Sequence, residues 1–341
     1  MSGHAARLAR LSTAAALAAL AACSRAPATE ERVRLAIGTY LTDAVEIVAH
    51  ERGIFAAHGV DVELVPVRDS GTVLATLLAG EVDAAACAPL NARCFNVVER
   101  GADVRFVLAR SHYAPDGCAH DAFVVRADLV RSGRVTGPES LRGLRLASEP
   151  TGSNYFYFSR LLASGGLSVA DVELVAVQSE ARRDALAQGR VDVVTATEPR
   201  VTRLTRGGAA VLWRRVADVL PGFQSSYLIF GRRLLVERRD LGVRLAAALL
   251  EAARELREEG KSMRHLEALA RWTKIDVGEL GEMCWPAPPR DARPDPLTLA
   301  DYQKWALANG LIDAVTPYGG LVDAGFVDEA EATAAAGDVA R

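Results

Sequence analysis

The feature that most constrains the fold of this chain is an internal repeat. Asp61-Val62-Glu63-Leu64-Val65-Pro66-Val67 matches Asp171-Val172-Glu173-Leu174-Val175-Ala176-Val177 everywhere except Pro66 against Ala176. Further along, Gly80-Glu81-Val82-Asp83 faces Gly189-Arg190-Val191-Asp192, and Ala88-Pro89 faces Glu198-Pro199, at nearly the same offset. One Val-rich strand resembles many others by chance. Order and spacing kept across strand, helix, Gly turn, strand and Pro are harder to obtain that way. Two copies are too few for a solenoid, so the repeat implies two similar α/β lobes.

The order of elements agrees with this. Up to about residue 215, apolar runs of strand length alternate with helix-period segments, the pattern of a mainly parallel α/β sheet. Strands are predicted at 33–37, 62–67, 82–86, 104–109, 122–126, 144–147, 172–177 and 191–195, with helices between them. At 341 residues the chain exceeds the size at which one core usually keeps growing, which also asks for two lobes. A net charge of −3, with no basic cluster interleaved with aromatics, argues against nucleic acid as a partner.

The first residues read as an export signal: His4, Arg7 and Arg10 make a polar, basic start, and an apolar run too short to span a bilayer follows from Leu11 to Leu20. The segment Leu20-Ala21-Ala22-Cys23 resembles the lipobox of bacterial lipoproteins, in which cleavage falls before the cysteine and its thiol carries a diacylglycerol. Residues 1–22 are then a signal peptide, Cys23 a lipidated N-terminus embedded in the bilayer, and 23–31 a tether. Cys87, Cys94, Cys118 and Cys284 are an even number in an oxidising compartment. Their spacing fits no zinc pattern and defines no pairs, so they read as small buried residues.

Groups for catalysis are missing from the pattern. None of the six histidines forms a His-Glu-x-x-His pair, and the loop holding His112, Cys118 and His120 reads as incidental polarity in a connection, so no metal is expected. Thr151-Gly152-Ser153-Asn154 is no nucleophile elbow, because no glycine follows Ser153 at the required spacing. All three lysines, Lys261, Lys274 and Lys304, fall in the C-terminal part, leaving the repeated lobes without an amine for a Schiff base. No cofactor is expected.

Binding candidates come from strand ends, because ligands of open parallel sheets sit outside the carboxyl ends of the strands. After the first strand, Tyr40 can stack on a planar ligand and Asp43 can either cap a helix or meet the ligand. Ser70 and Gly71 open a helix after the second strand. Pro89 suits a first helical turn after the third, with Asn91 beside it. In the second copy, Thr151, Gly152 and Ser153 present a helix start whose N–H groups face the cleft, and Tyr155 is the nearest aromatic. Glu198 stands where the first copy has Ala88, so the fold itself does not ask for a carboxylate there. With Asp43, Glu149 and Glu198 at these edges and no equally well-placed arginine, the ligand leans towards a nitrogenous, planar or cationic molecule.

Arg52-Gly53-Ile54-Phe55, Gly59-Val60-Asp61-Val62-Glu63-Leu64, Leu77-Leu78-Ala79-Gly80-Glu81-Val82-Asp83, Leu141-Arg142-Gly143-Leu144-Arg145-Leu146, Thr151-Gly152-Ser153 and Glu198-Pro199 carry a family resemblance. In this order they resemble solute-binding proteins of the nitrate, sulfonate, taurine and thiamine-precursor group. The resemblance implies a two-lobed type 2 periplasmic-binding-protein fold with two hinge crossovers, near 111–121 and 221–227. Lobe one then spans 32–117 and 223–341, and lobe two 118–222. The C-terminal helices, including 234–259 and 297–308, would pack mainly on lobe one. It implies a monomer outside the cytoplasm, periplasmic or on the cell surface, that binds a small solute by hinge closure and delivers it to an ABC permease of the inner membrane. Eukaryotic enzymes that build the thiamine pyrimidine share this resemblance, but their pyridoxal-phosphate lysine and cysteine run are missing here. Such an enzyme, or a ligand-sensing lipoprotein, is the alternative reading.

Overall fold

The computed structural model describes residues 32–67, 70–115, 117–118, 120–148 and 152–339. The signal segment, Cys23, the tether, Glu149 and Thr151 lie outside the described residues. The strands are β1 (Arg32–Ile37), β2 (Asp61–Pro66), β3 (Ala84–Cys87), β4 (Val104–His112), β5 (Asp121–Arg126), β6 (Arg145–Ala147), β7 (Glu173–Val175), β8 (Val193–Thr197), β9 (Ala210–Arg215) and β10 (Gln224–Gly231).

They form two five-stranded sheets of the same design, ordered β2-β1-β3-β10-β4 and β7-β6-β8-β5-β9. The sheets are α/β and mixed. β1 pairs parallel with β3, and β6 parallel with β7 and β8. In each sheet the fourth strand runs against its neighbours: β10 is antiparallel to β3 and β4, and β5 to β8 and β9. This corrects the mainly parallel expectation, and β9 and β10 are additions to the predicted strands. All eight residues of β10 are buried, because the strand is central and both its faces are covered, so it shows no alternation to read.

The repeat has a physical role. In the first sheet the Asp83 carboxylate accepts the Arg34 backbone N–H at 2.8 Å, while the Asp83 N–H donates to the Arg34 carbonyl at 2.8 Å. In the second, Asp192 does the same with Arg145, at 2.9 and 2.8 Å. Each aspartate thus fixes the register of the third strand against the first, and a one-residue slip would break both bonds.

Asp192 also accepts from the Arg145 guanidinium at 2.8 and 3.0 Å. Burial works to raise its carboxyl, but the Arg145 bonds outweigh burial and hold it below its ordinary value. A carboxyl depressed in the folded state stabilises above its unfolded pKa and loses that contribution as pH falls through the folded value. Asp192→Asn should therefore cost about 2 kcal/mol near neutrality. The gap to the parent should close only as pH falls below about 4, as read from urea midpoints across pH. A gap that is constant down to low pH would show that the charge is not what stabilises.

The helix Arg239–Glu259 covers the outer face of the first sheet, where Leu241, Leu245, Leu249 and Leu256 join Leu35, Leu228 and Phe230 in one core. A second core takes in residues of both sheets, among them Phe106, Tyr227, Phe123 and Val125. The helix Pro296–Ala308 joins them: Tyr302 stacks on Phe95 at 5.3 Å and meets Phe156 at 5.0 Å, and Phe156 continues to Phe223 at 5.2 Å. The Pro296–Ala308 helix thus touches helices that flank both sheets, where the sequence reading placed it mainly on the first.

Candidate functional site

At the end of β1 the chain turns through Gly38 and Thr39, and the Tyr40 ring lies over Gly38 where a Cβ would otherwise sit. Tyr40 is 44% exposed. Asp43 is buried instead: one oxygen accepts the N–H groups of Gly38 and Tyr40, each at 2.9 Å, and the other accepts Arg110 Nη2 at 2.7 Å. One turn later Glu46 takes Arg110 Nε at 2.6 Å and Nη2 at 2.8 Å, and Arg110 Nη1 donates to Ser226 at 2.9 Å. Burial works against the Arg110 charge, but Glu46 and then Asp43 outweigh it and raise its pKa. Asp43 is therefore a turn and ion-pair residue. The arginine that the strand-end pattern lacked is present, on β4, and both carboxylates already use it.

The two prolines of the repeat occupy equivalent cis peptides, Ala88-Pro89 and Glu198-Pro199. Pro89 precedes the helix Ala92–Glu99 and does not sit in its first turn. Asn91 caps that helix by accepting the Arg93 N–H at 3.1 Å, and it donates to the Pro89 carbonyl at 2.9 Å. Cys87 and Cys94 form a disulfide across the same turn. Ser70 and Gly71 open the helix Ser70–Leu78.

In the second sheet Gly152 is the N-cap of the helix Ser153–Ser164, and Ser153 is half-buried. Tyr155 packs edge-on against Trp305 at 5.3 Å and donates its hydroxyl to Asn309 at 3.2 Å, so it faces the helix Pro296–Ala308. Glu198 is buried. It accepts the Thr202 N–H at 3.0 Å, the Thr202 hydroxyl at 2.8 Å and the Cys284 N–H at 3.3 Å. These bonds satisfy a helix start and tie it to the C-terminal segment, so Glu198 is a structural residue here, contrary to an exposed cleft-edge acid.

That segment runs between the sheets. Cys284 is bonded to Cys118 in the β4–β5 connection, and Ala287 bridges backbone to His112. With Cys118 in a disulfide, the loop of His112, Cys118 and His120 has no thiolate to offer a metal.

The polar centre missed by sequence reasoning lies where β4, β5 and β8 converge. Asp121 accepts the Tyr113 hydroxyl at 2.8 Å and the Thr197 hydroxyl. His120 is buried beside it, ring centroid 5.1 Å from Tyr113, with Nε2 at 3.4 Å from the Asp121 carboxylate and without a hydrogen bond. Burial pushes the His120 imidazole down, more than Asp121 pulls it up, and His112 adds to the depression. The ring is neutral at pH 7. Tyr157, 6.0 Å from Tyr113, has its hydroxyl buried near Tyr113 and Ser153 without a bond of good geometry to either. Burial, reinforced by Asp121, raises the pKa of both tyrosines, so both keep their protons. The signal available in the sequence was the polar pair His120-Asp121 opening an otherwise apolar strand.

This centre offers hydrogen-bonding atoms in a dry setting, and two of them lack partners. It contains no nucleophile held by a base. The four cysteines among the described residues are all in disulfides.

A family model described as the NMT1-like family matches residues 26–271. No curated protein matches the chain. Among solved structures, the periplasmic aliphatic sulphonate-binding protein SsuA from Escherichia coli is similar at 16% identity and a TM-score of 0.68, over 86% of this chain and 97% of that one. The periplasmic nitrate-binding protein NrtA from Synechocystis PCC 6803 is similar at 13% identity and 0.69, over 89% of each. The desulfurization enzyme DSZB is similar at 17% identity and 0.65, over 89% of this chain and 99% of that one. At these identities the likeness is one of fold, shared by binding proteins and an enzyme.

Proposed function

We propose that this chain, which belongs to the NMT1-like family, is an extracytoplasmic solute-binding lipoprotein of an ABC importer. A small solute would sit between the two sheets and hand on to a permease of the inner membrane. The observation that carries this reading is the pair of buried, unpartnered groups at the β4–β5–β8 junction, His120 Nε2 and the Tyr157 hydroxyl. Buried polar atoms are nearly always bonded, and a bound solute would supply the missing partners. Two disulfides support an oxidising compartment, and the fold shared with sulphonate- and nitrate-binding proteins supports binding. The lobes would be 32–117 with 223–341, and 118–222, turning about the β4–β5 and β9–β10 connections, so that solute shifts an open–closed equilibrium.

The solute class follows from the charges. The Arg110 charge is more than offset by Asp43 and Glu46, burial favours the neutral form of His120, and Asp121 already holds two hydroxyls. A hydrogen-bonding nitrogen heterocycle of pyrimidine type therefore suits the centre better than nitrate, taurine or another sulfonate. An enzyme of thiamine-pyrimidine synthesis is the weaker reading, since Lys261, Lys274 and Lys304 lie outside both sheets and no cysteine is free among the described residues.

Calorimetry with aminopyrimidines, nitrate, taurine and alkanesulfonates tests this, together with Tyr157→Phe. That variant removes only a hydroxyl without a partner, so the protein should melt no lower than the parent, while binding weakens about tenfold. Unchanged affinity for the preferred solute would remove Tyr157 from the site, and turnover of a pyrimidine would favour the enzyme. Scattering should show compaction on solute addition.

Anchoring through Cys23 has its own test. Cys23→Ala should move the protein from the membrane fraction to the soluble one, because two acyl chains hold a protein on a bilayer where one gives only marginal binding. Unchanged partitioning would end the lipoprotein reading and leave the solute site untouched.

A further inference from the structure

A third group of chemistry-bearing side chains lies far from the sheet ends, on the helices that cover the first sheet. Glu255 and Glu259 are one turn apart near the end of the helix Arg239–Glu259, and His265 lies in the first turns of the helix Met263–Thr273. One donor atom from each lies within 4.8 Å of the other two. His265 is completely buried. Its Nδ1 donates to the Gly260 carbonyl at 2.7 Å, which fixes the ring with Nε2 facing the two carboxylates. Nε2 lies 3.1 Å from Glu255 Oε1 and 3.8 Å from Glu259 Oε2.

Two observations point beyond a simple ion pair. Glu259 Oε2 is buried and has no hydrogen-bond partner, while the other oxygen of that carboxylate is held by Arg264. Arg52 binds Glu255 at Oε1, 2.9 Å away, the same oxygen that His265 Nε2 meets. Each carboxylate is thus held from outside by an arginine, and Glu259 keeps a buried oxygen without a partner, the arrangement in which outer partners orient metal ligands. The spacing also fits: zinc bonds of about 2.0–2.2 Å set tetrahedral ligands about 3.3–3.6 Å apart, between the two nitrogen–oxygen distances observed.

We propose that Glu255, Glu259 and His265 bind a divalent transition-metal cation of the zinc class, with water in the fourth position. An imidazole with two carboxylates suits zinc and its neighbours. Calcium would require six or more oxygens, and magnesium a near-ideal oxygen octahedron. The cation would clasp the end of one helix to the start of the next across the turn at Gly260, which has φ +54°.

The test is titration of the metal-free full chain with zinc chloride, followed by calorimetry and thermal melting. Magnesium chloride serves as the control, and Cys23→Ser in every protein removes the one thiol outside the disulfides. Zinc should bind at one per chain and raise the melting temperature, and magnesium should do neither. Glu259→Gln should weaken zinc by tenfold or more, and His265→Asn should abolish it. Because His265 is buried and that variant can fail to fold, Glu259→Gln decides, its side chain being 30% exposed. No zinc-induced shift in the parent, or zinc affinity unchanged in Glu259→Gln, overturns the proposal.

Discussion

Arg110→Met should lower the melting temperature by about 6–10 °C, taking a loss of about 3–5 kcal/mol at roughly 2 °C per kcal/mol for a chain of this size. Arg110, Asp43 and Glu46 are each at most 5% exposed, and the guanidinium reaches both carboxylates and Ser226. Truncating the arginine leaves two carboxylates in a dry interior without a cation. A buried pair is expensive to break and of little net benefit to make. The same logic supplies the control: Asp43→Asn and Glu46→Gln added to Arg110→Met should recover much of the loss. The uncompensated charges are then gone, and the amide oxygen that replaces the Asp43 carboxylate still accepts backbone N–H groups. Thermal melts of the three proteins at pH 7 decide the matter. A single variant that melts like the parent, or a triple variant worse than the single, would show that the cluster is not held by charge balance.

Removing the Cys118–Cys284 disulfide should cost about 5 kcal/mol in the chain-entropy account, and removing Cys87–Cys94 about 2 kcal/mol. The first closes a separation of 166 residues, the second one of 7, and loop-closure entropy grows with the logarithm of that number. The longer bridge also holds the C-terminal segment against the β4–β5 connection, beside the Cys284 N–H bond to Glu198. Paired Cys→Ala variants, compared by urea midpoints, keep the chemistry the same in both cases. If the short bridge proves the more costly, native-state packing outweighs unfolded-chain entropy in this protein.

Much of the architecture was legible from local pattern. The eight predicted strands are present, and Asp83 and Asp192, aligned by the repeat, perform the same register-setting task. The candidate site was legible only in part. Reading the residue types at the strand ends found the helix start at Gly152 and Ser153, where the chemistry is a property of a few consecutive residues, while Asn91, offered as a ligand contact, caps a helix. It mistook the direction of others. Glu198 turns inward to Thr202 and Cys284, and Tyr155 turns to Asn309, because each meets a C-terminal segment about 86 to 154 residues away.

The repeat and its strand–helix alternation, read from the sequence by itself, determined that the chain makes two like α/β sheets, since strand period and turn chemistry act over neighbouring residues. Only the tertiary structure decided which strand enters each sheet in reverse, which carboxylates take Arg110, and how the cysteines pair. It also decided which polar atoms, His120 Nε2 and the Tyr157 hydroxyl, are left without partners. Those outcomes depend on groups such as Arg110 and Asp43, 67 residues apart, meeting in a space too dry for water to serve in place of either.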